Sequence, residues 1–308
     1  MRVMNDREEE TQKAPPETVF DVVALSLLCG LGLASGILGP LPMILSEIRL
    51  VKPWGKVAPL VGAVFSVVLL GIPPQVAVIG FVTGIYVADS IGRRVPLWRM
   101  LIEVVYVGVG IAGVLLFAYA YVKGWSVVYA WGQVVDALML QLREGLPGAS
   151  AELFSNLREV FYFEGPFLFV SALILTAWLS VGFASHLRWL ANNPSYCGEA
   201  IREQTLPRWF SGVCIAVLAG LLVLKLGTTA ERIVWGIFRP LSMLLLIQGT
   251  IALSRVLARR ILSPWIRSWI YVLALTFGFY ALIGAGAIAP WLTSRKPSGS
   301  RKVTGEVT

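Results

Sequence analysis

The sequence predicts an all-α fold: a polytopic integral membrane helix bundle of about eight spans, with a short broken half-helix and two amphipathic interfacial helices. Three observations predict it. Of the 308 residues, 56% are hydrophobic and only 14% are charged, whereas soluble proteins carry about 25% charged residues. Eight apolar runs approach the roughly 20 residues that cross a bilayer. Lysine and arginine are concentrated in every second gap between these runs.

Each apolar run is expected to be a helix, because only helices and closed barrels satisfy every backbone hydrogen bond within lipid. In chain order the predicted spans are 18–37, 57–72, 75–92, 101–122, 166–184, 209–226, 233–254 and 268–290. They divide the chain into a disordered polar tail (1–17), N-terminal transmembrane helices (18–122), extracytoplasmic amphipathic helices (123–165), C-terminal transmembrane helices (166–290) and a disordered basic tail (291–308).

The basic residues between the runs predict the orientation of the chain. Thirteen of the 26 lysines and arginines lie in the loops 45–56, 93–99, 185–208 and 255–267. The opposite loops hold only Lys123, Arg143, Arg158 and Arg232. Because short basic loops stay on the cytoplasmic side, we expect the first four loops in the cytoplasm of a bacterium and the chain in its inner membrane.

The segment 38–50 interrupts the alternation of the loops. Eight plain spans with these cytoplasmic loops would leave both termini outside. Pro40 and Pro42 break a helix here, and the residues that follow cover only half of the length needed to cross. Two interpretations are open: a half-helix that returns to the cytoplasm and places the N-terminus inside, or an ordinary extramembrane loop.

The longest stretch between spans, 123–165, carries the two predicted amphipathic helices. Apolar side chains from Val127 to Leu142 form one stripe at helical spacing. A break follows at Gly145–Gly148, after which Ser150 can cap a second helix. These helices either form a lid over an outward-facing cavity or lie flat as an interfacial cover.

Three polar residues within or beside the spans are the candidate substrate-binding residues: Arg239, Gln248 and Glu164. A charge at the centre of a membrane helix costs about 2.5–3.5 kcal/mol on insertion scales, so its presence indicates a use. Each also has a structural alternative. Arg239 can extend to the outer interface, Gln248 can hydrogen-bond between helices, and Glu164 can stabilise a helix N-terminus.

Catalytic, metal and nucleic-acid functions find no support in the sequence. The single histidine, His186, has no nearby carboxylate or nucleophile pattern, and the three cysteines are widely spread. The match of Gly108–Gly113 to GxGxxG lies within a span, where a dinucleotide fingerprint has no strand before it. Despite a net charge of +8, no basic face is interleaved with aromatics. We therefore expect no enzyme, no cofactor and no nucleic-acid partner.

The order of several short motifs resembles the YybS-like family of bacterial membrane proteins (domain of unknown function 2232). The motifs are Leu41-Pro42, the Gly80/Gly84 span leading to Gly92-Arg93-Arg94, Pro207 to Trp209, Gln248-Gly249, and Trp291 followed by Arg295-Lys296. The similarity covers most of 18–290 and implies a multi-pass membrane protein.

The glycine-rich N-terminal part is similar to the substrate-binding S-components of energy-coupling-factor transporters. That similarity implies a helical bundle that holds a small molecule near its outer face and docks a membrane subunit through small residues, here Gly30, Gly32, Ala34 and Gly36. The chain has more predicted spans than the usual six. We expect either a protein that binds or transports a small solute, or a non-catalytic scaffold that docks other membrane proteins through glycine-rich faces.

Overall fold

The computed structural model describes residues 18–35, 39–50, 53–93, 95–146, 148, 150–185, 205–223, 228–258, 260 and 263–293. Within these ranges the chain is all-helical, which confirms the all-α part of the predicted fold. The helices are α1 (Thr18–Ser35), α2 (Pro40–Arg49), α3 (Trp54–Val68), α4 (Pro74–Gly92), α5 (Leu97–Lys123), α6 (Val127–Gly145), α7 (Ala151–Ser185), α8 (Arg208–Val223), α9 (Thr228–Ala258), α10 (Pro264–Thr276) and α11 (Phe279–Thr293). The predicted tail 1–17, Gly36, His186, Cys197 and most of 291–308 lie outside the described residues.

Among the residues that the structure describes, four helices are long and apolar enough to cross a membrane: α4, α5, α7 and α9. The pair α10 and α11 adds a fifth span if it is counted as one. Helices α1, α3 and α8 are apolar but shorter. These helices are compatible with a multi-pass membrane protein, while the count of eight spans stays a prediction.

The last predicted span, 268–290, is not one straight helix, because α10 and α11 meet at a bend of 98°; that the pair crosses the membrane as one broken span stays a prediction. The N–H of Phe277 donates to the carbonyl of Leu273 at 2.9 Å and ends α10. A new helical turn starts at Gly278, whose carbonyl accepts from the N–H of Leu282 at 2.8 Å. Glycine is a weak helix former. Helix α11 also continues through 291–293, which the sequence had assigned to the tail.

Within the segment 38–50, residues Pro40–Arg49 form the short helix α2; whether it is a re-entrant half-helix or part of an extramembrane loop stays a prediction. Its ten residues rise about 15 Å, half of a hydrocarbon core. Met43, Ile44 and Ser46 are fully buried where α2 packs against α1, α3, α4 and α7. At its end Arg49 forms a 3.2 Å ion pair with Asp21, which places this end of α2 beside the start of α1. The chain therefore turns back on itself between α1 and α2.

The first predicted amphipathic helix is confirmed as α6, whose N-cap Ser126 accepts from the N–H of Tyr129. Ser150 likewise accepts from the N–H of Leu153 at 3.2 Å. The second amphipathic helix is not separate, however, because α7 runs without interruption from 151 to 185 through Pro166. The predicted division of the chain at 165/166 therefore falls inside one helix.

Pro166 is tolerated within α7 because another helix replaces the hydrogen bond that proline removes. A proline has no N–H, so the carbonyl four residues earlier, that of Tyr162, loses its partner in the helix. The indole N–H of Trp131 on α6 donates to this carbonyl at 2.9 Å. Gly165 gives the indole room, since a Cβ there would lie 2.9 Å from the ring. Helix α6 therefore docks on α7 at the carbonyl that lacks its hydrogen bond within the helix.

Pro59 within α3 is accommodated in the same way. It leaves the carbonyl of Gly55 without its helical partner. The hydroxyl of Ser46 on α2 lies 3.0 Å from that carbonyl and 2.9 Å from the carbonyl of Met43, so its single proton is shared between the two acceptors. Ser46 and Gly55 are buried. A buried backbone carbonyl without a partner costs free energy, so this bond is part of what holds α2 against α3.

The largest hydrophobic cluster joins α2, α4, α5, α7, α8, α9 and α11. Its closest backbone approach is between α9 and α11. A Cβ at Gly249 would overlap the carbonyl oxygen of Leu282, and a Cβ at Gly286 would overlap that of Leu245. Small residues permit such close packing between apolar helices.

Candidate functional site

Glu164 on α7 and Arg239 on α9 meet as an ion pair. Glu164 is 9% exposed, whereas the Arg239 side chain is 43% exposed. Phe167 lies against Gly236, where a Cβ would overlap its ring, and this brings the two helices close enough for the pair to form. Arg239 therefore already has an anionic partner within the chain.

Two further ion pairs lie on the same part of α7, before Pro166. Arg158 contacts Asp136 of α6 through two bonds of 2.6 and 3.3 Å, and Glu159 contacts Arg232 of α9. The hydrogen bond from Arg158 holds the pKa of the Asp136 carboxyl below its ordinary value, against a smaller opposing effect of partial burial. These pairs connect α7 to α6 on one side and to α9 on the other.

Gln248 lies elsewhere. It stands nine residues beyond Arg239 on the same helix, about 13.5 Å along its axis. It is fully buried, and its Oε1 accepts from the N–H of Leu206 at 3.0 Å, just before α8. The structure therefore brings Glu164 and Arg239 together, and places Gln248 at the junction of α8 and α9.

A cavity of about 280 Å³ lies between α4, α5 and α7 and reaches the start of α2. Its two long walls follow single helix faces, because their residues recur at intervals of three or four. The lining residues are Leu33, Gly39, Pro40, Val76, Ile79, Gly80, Thr83, Val87, Val104, Phe169, Ala172, Leu173, Thr176 and Ala177. None of Arg239, Gln248 and Glu164 is among them.

The cavity is almost entirely apolar. Among the described residues that line it, Thr83 and Thr176 are the only ones with a polar side chain, and the Thr83 hydroxyl already donates to the carbonyl of Ile79 at 2.7 Å. Such a wall offers dispersion contacts to hydrocarbon and no charge to an ion. Within the described residues no group of three or more histidine, cysteine, aspartate or glutamate side chains could hold a metal ion.

Two features of the sequence indicate this cavity, and neither of them is a charged residue. Small side chains lie on one face of each wall: Gly80 and Thr83 on α4, and Ala172, Thr176 and Ala177 on α7. The second feature is the break at Gly39–Pro42, since the cavity lies beside the start of α2. The small side chains leave room for the cavity between α4 and α7. At one end of the cavity, the break at Gly39–Pro42 leaves no helix to fill this room.

The proposed docking face on α1 is largely used inside the chain. Gly30 is buried against α3, since a Cβ there would lie 2.6 Å from the ring of Phe65, and Gly32 is buried beside Gly39. Ala34 is exposed, and Gly36 lies outside the described residues. Gly30 and Gly32 thus serve helix packing within the chain.

Comparisons with protein families, curated proteins and solved structures find no match to this chain. The resemblance to the YybS-like family therefore stays an expectation.

Proposed function

We propose that this chain is a multi-pass membrane protein that binds a small apolar molecule in the cavity between α4, α5 and α7. The observation that carries the proposal is the cavity itself: about 280 Å³ with two polar side chains among fourteen lining residues. Ligand sites are concave and mostly apolar, with few polar groups, and measure roughly 300–1,000 Å³. This cavity lies just below that range, which favours a small or narrow ligand.

The lining supports an apolar ligand rather than water or an ion. A buried water needs two to four polar partners, which this wall does not supply. Apolar cavities stay dry and take up apolar guests such as benzene or xenon. The ion pair Glu164–Arg239, by contrast, is already neutralised, and we assign it to holding α7 against α9 rather than to the solute.

We further propose that the protein lies in a bacterial inner membrane with the loops 45–56, 93–99, 185–208 and 255–267 in the cytoplasm. The concentration of basic residues in these loops supports this orientation. The ion pair between Asp21 and Arg49 supports placing the start of α1 on the same side as the loop 45–56.

Xenon tests the ligand proposal, because it is a small apolar probe that can be located in crystals under pressure. We expect xenon between α4 and α7 in the wild type. Ala172→Phe fills the cavity from its wall and should remove xenon. Ala118→Phe makes the same change at an exposed position of α5 that does not line the cavity, and xenon should remain. A wild-type protein without xenon between these helices would overturn the proposal.

Cysteine labelling tests the orientation. In a background with Cys197 replaced by serine, Pro96→Cys lies in the loop 93–99 and Glu144→Cys at the end of α6, and both positions are exposed. A membrane-impermeant maleimide added to intact cells should label Glu144→Cys only. Labelling of Pro96→Cys from outside would reverse the orientation.

A further inference from the structure

We infer that the natural occupant of the cavity is one acyl chain of a membrane phospholipid, which enters sideways between α4 and α7. This inference rests on the proposed function and names the class of ligand. Its evidence is the length of the cavity, the side on which it opens and the depth at which it ends.

The length of the cavity matches one leaflet of a bilayer. Along α4 the lining runs from Val76 to Val87, eleven residues or about 16 Å at 1.5 Å per residue. The hydrocarbon core of a bilayer is about 30 Å thick, so one leaflet contributes about 15 Å. A cavity of this length and small volume is narrow, which suits an extended chain better than a compact molecule.

The α4 wall and the α7 wall of the cavity lie side by side at the same depth. Thr83 of α4 and Leu173 of α7 both approach Gly108 of α5, where a Cβ would lie 3.2 Å from the first and 2.5 Å from the second. On α7 the lining extends from Phe169 to Ala177, about 12 Å. The walls therefore enclose one slot that runs along the helices.

The slot opens towards the outside of the bundle at membrane depth. Val76 is 52% exposed, and Ala172, halfway along the other wall, is also exposed. Both residues belong to helices long and apolar enough to cross a membrane, so the surface beside them is in contact with hydrocarbon in our proposal. A ligand reaches such an opening from the bilayer and not from water.

The far end of the slot is closed. Val87, Val104 and Ala177 line it and are each no more than 1% exposed. Val76 lies two residues after the start of α4 at Pro74, where the interface is expected, and Val87 lies thirteen residues after Pro74, about 20 Å along the helix and past its middle. A chain inserted from the interface would thus end against these three residues, while its headgroup remained outside the slot.

A photoreactive phospholipid tests this inference on the full chain. The protein is reconstituted in phosphatidylcholine vesicles containing a phosphatidylcholine with a diazirine near the end of one acyl chain, irradiated, digested and analysed by mass spectrometry. We expect adducts on the lining residues of α4 and α7 in the wild type and in Ala118→Phe. Ala172→Phe should lose them, with adducts on other lipid-facing positions unchanged.

The xenon experiment separates failure of this inference from failure of the proposed function. Xenon between α4 and α7, with no lining adducts or with lining adducts equal in the wild type and Ala172→Phe, overturns the acyl-chain inference and leaves the proposed function standing. Absence of both xenon and lining adducts overturns both. If Ala172→Phe does not fold, as judged by its thermal unfolding, Ala172→Leu adds less volume to the same wall and takes its place.

Discussion

The hydrogen bond between Ser46 and Gly55 offers the sharpest test of how the prolines are accommodated. Ser46→Ala removes the hydroxyl whose proton is shared between the Gly55 carbonyl at 3.0 Å and the Met43 carbonyl at 2.9 Å. Because Pro59 cannot donate to the Gly55 carbonyl, a buried acceptor is left without a partner. Leaving such a group unsatisfied costs about 1–3 kcal/mol, and we expect this loss in the free energy of unfolding.

The background Pro59→Ala shows whether the proline is the cause. Alanine restores an N–H at position 59, which can donate to the Gly55 carbonyl within α3. Ser46→Ala should therefore cost less in this background than in the wild type, by about 0.5–1.5 kcal/mol, the net worth of one hydrogen bond. The double-mutant cycle isolates this coupling.

Ser66 provides the control. It is also a fully buried serine, but its hydroxyl donates at 2.7 Å to Ala63 of its own helix, whose carbonyl keeps its helical partner. Ser66→Ala should cost less than Ser46→Ala and should not couple to Pro59→Ala. The measurement is equilibrium unfolding in mixed detergent micelles. Costs of Ser46→Ala that agree within about 0.3–0.5 kcal/mol in the two backgrounds, the range for independent sites, would refute the reasoning.

Three further predictions follow from the packing of the helices. Trp131→Phe removes the indole donor to a proline-freed carbonyl and should lower the free energy of unfolding by about 1 kcal/mol; an unchanged value would contradict this. Gly286→Ala forces a Cβ into backbone of α9 and should cost about 1–3 kcal/mol, while Gly284→Ala, with open space around it, should cost less; equal unfolding midpoints would be inconsistent with the packing. Arg158 lowers the pKa of Asp136. The stability advantage of the wild type over Asp136→Asn should therefore be complete above the ordinary aspartate pKa of about 3.9 and be lost as the pH falls through the lowered pKa. Thermal unfolding across this pH range measures the advantage, and an advantage that grows on acidification would contradict the prediction.

Much of the local structure could be predicted from the sequence. The helices α4 and α5 follow from apolar runs, and the caps at Ser126 and Ser150 follow from residue type and position. The bend at Gly278 and the continuity of α7 through Pro166 were not predicted. In both cases contacts between helices that are distant in sequence are involved. Trp131 of α6 supplies the hydrogen bond that lets α7 continue. Helix α11 packs against α8 and α9, while α10 points in a different direction.

The candidate site shows the same division. The sequence marks Arg239 and Glu164 as unusual charges and predicts that they bind a substrate, which stays a prediction. Only the fold reveals that they are partners, since they lie on different helices. The cavity was not predicted as an apolar slot, because its walls are made of ordinary residues such as Ala172 and Val87. Only their small size and spacing mark them in the sequence.

The sequence by itself determined that the chain is helical, that several of its helices are suited to lipid, and that α2 is too short to cross. These properties depend on hydrophobicity and on hydrogen bonds four residues apart, which are local. The tertiary structure decided which faces meet, which carbonyls Ser46 and Trp131 satisfy, and where the cavity lies. The physical reason is that lipid is as apolar as the helices themselves, so hydrophobicity does not distinguish a face that packs inward from one that faces the bilayer.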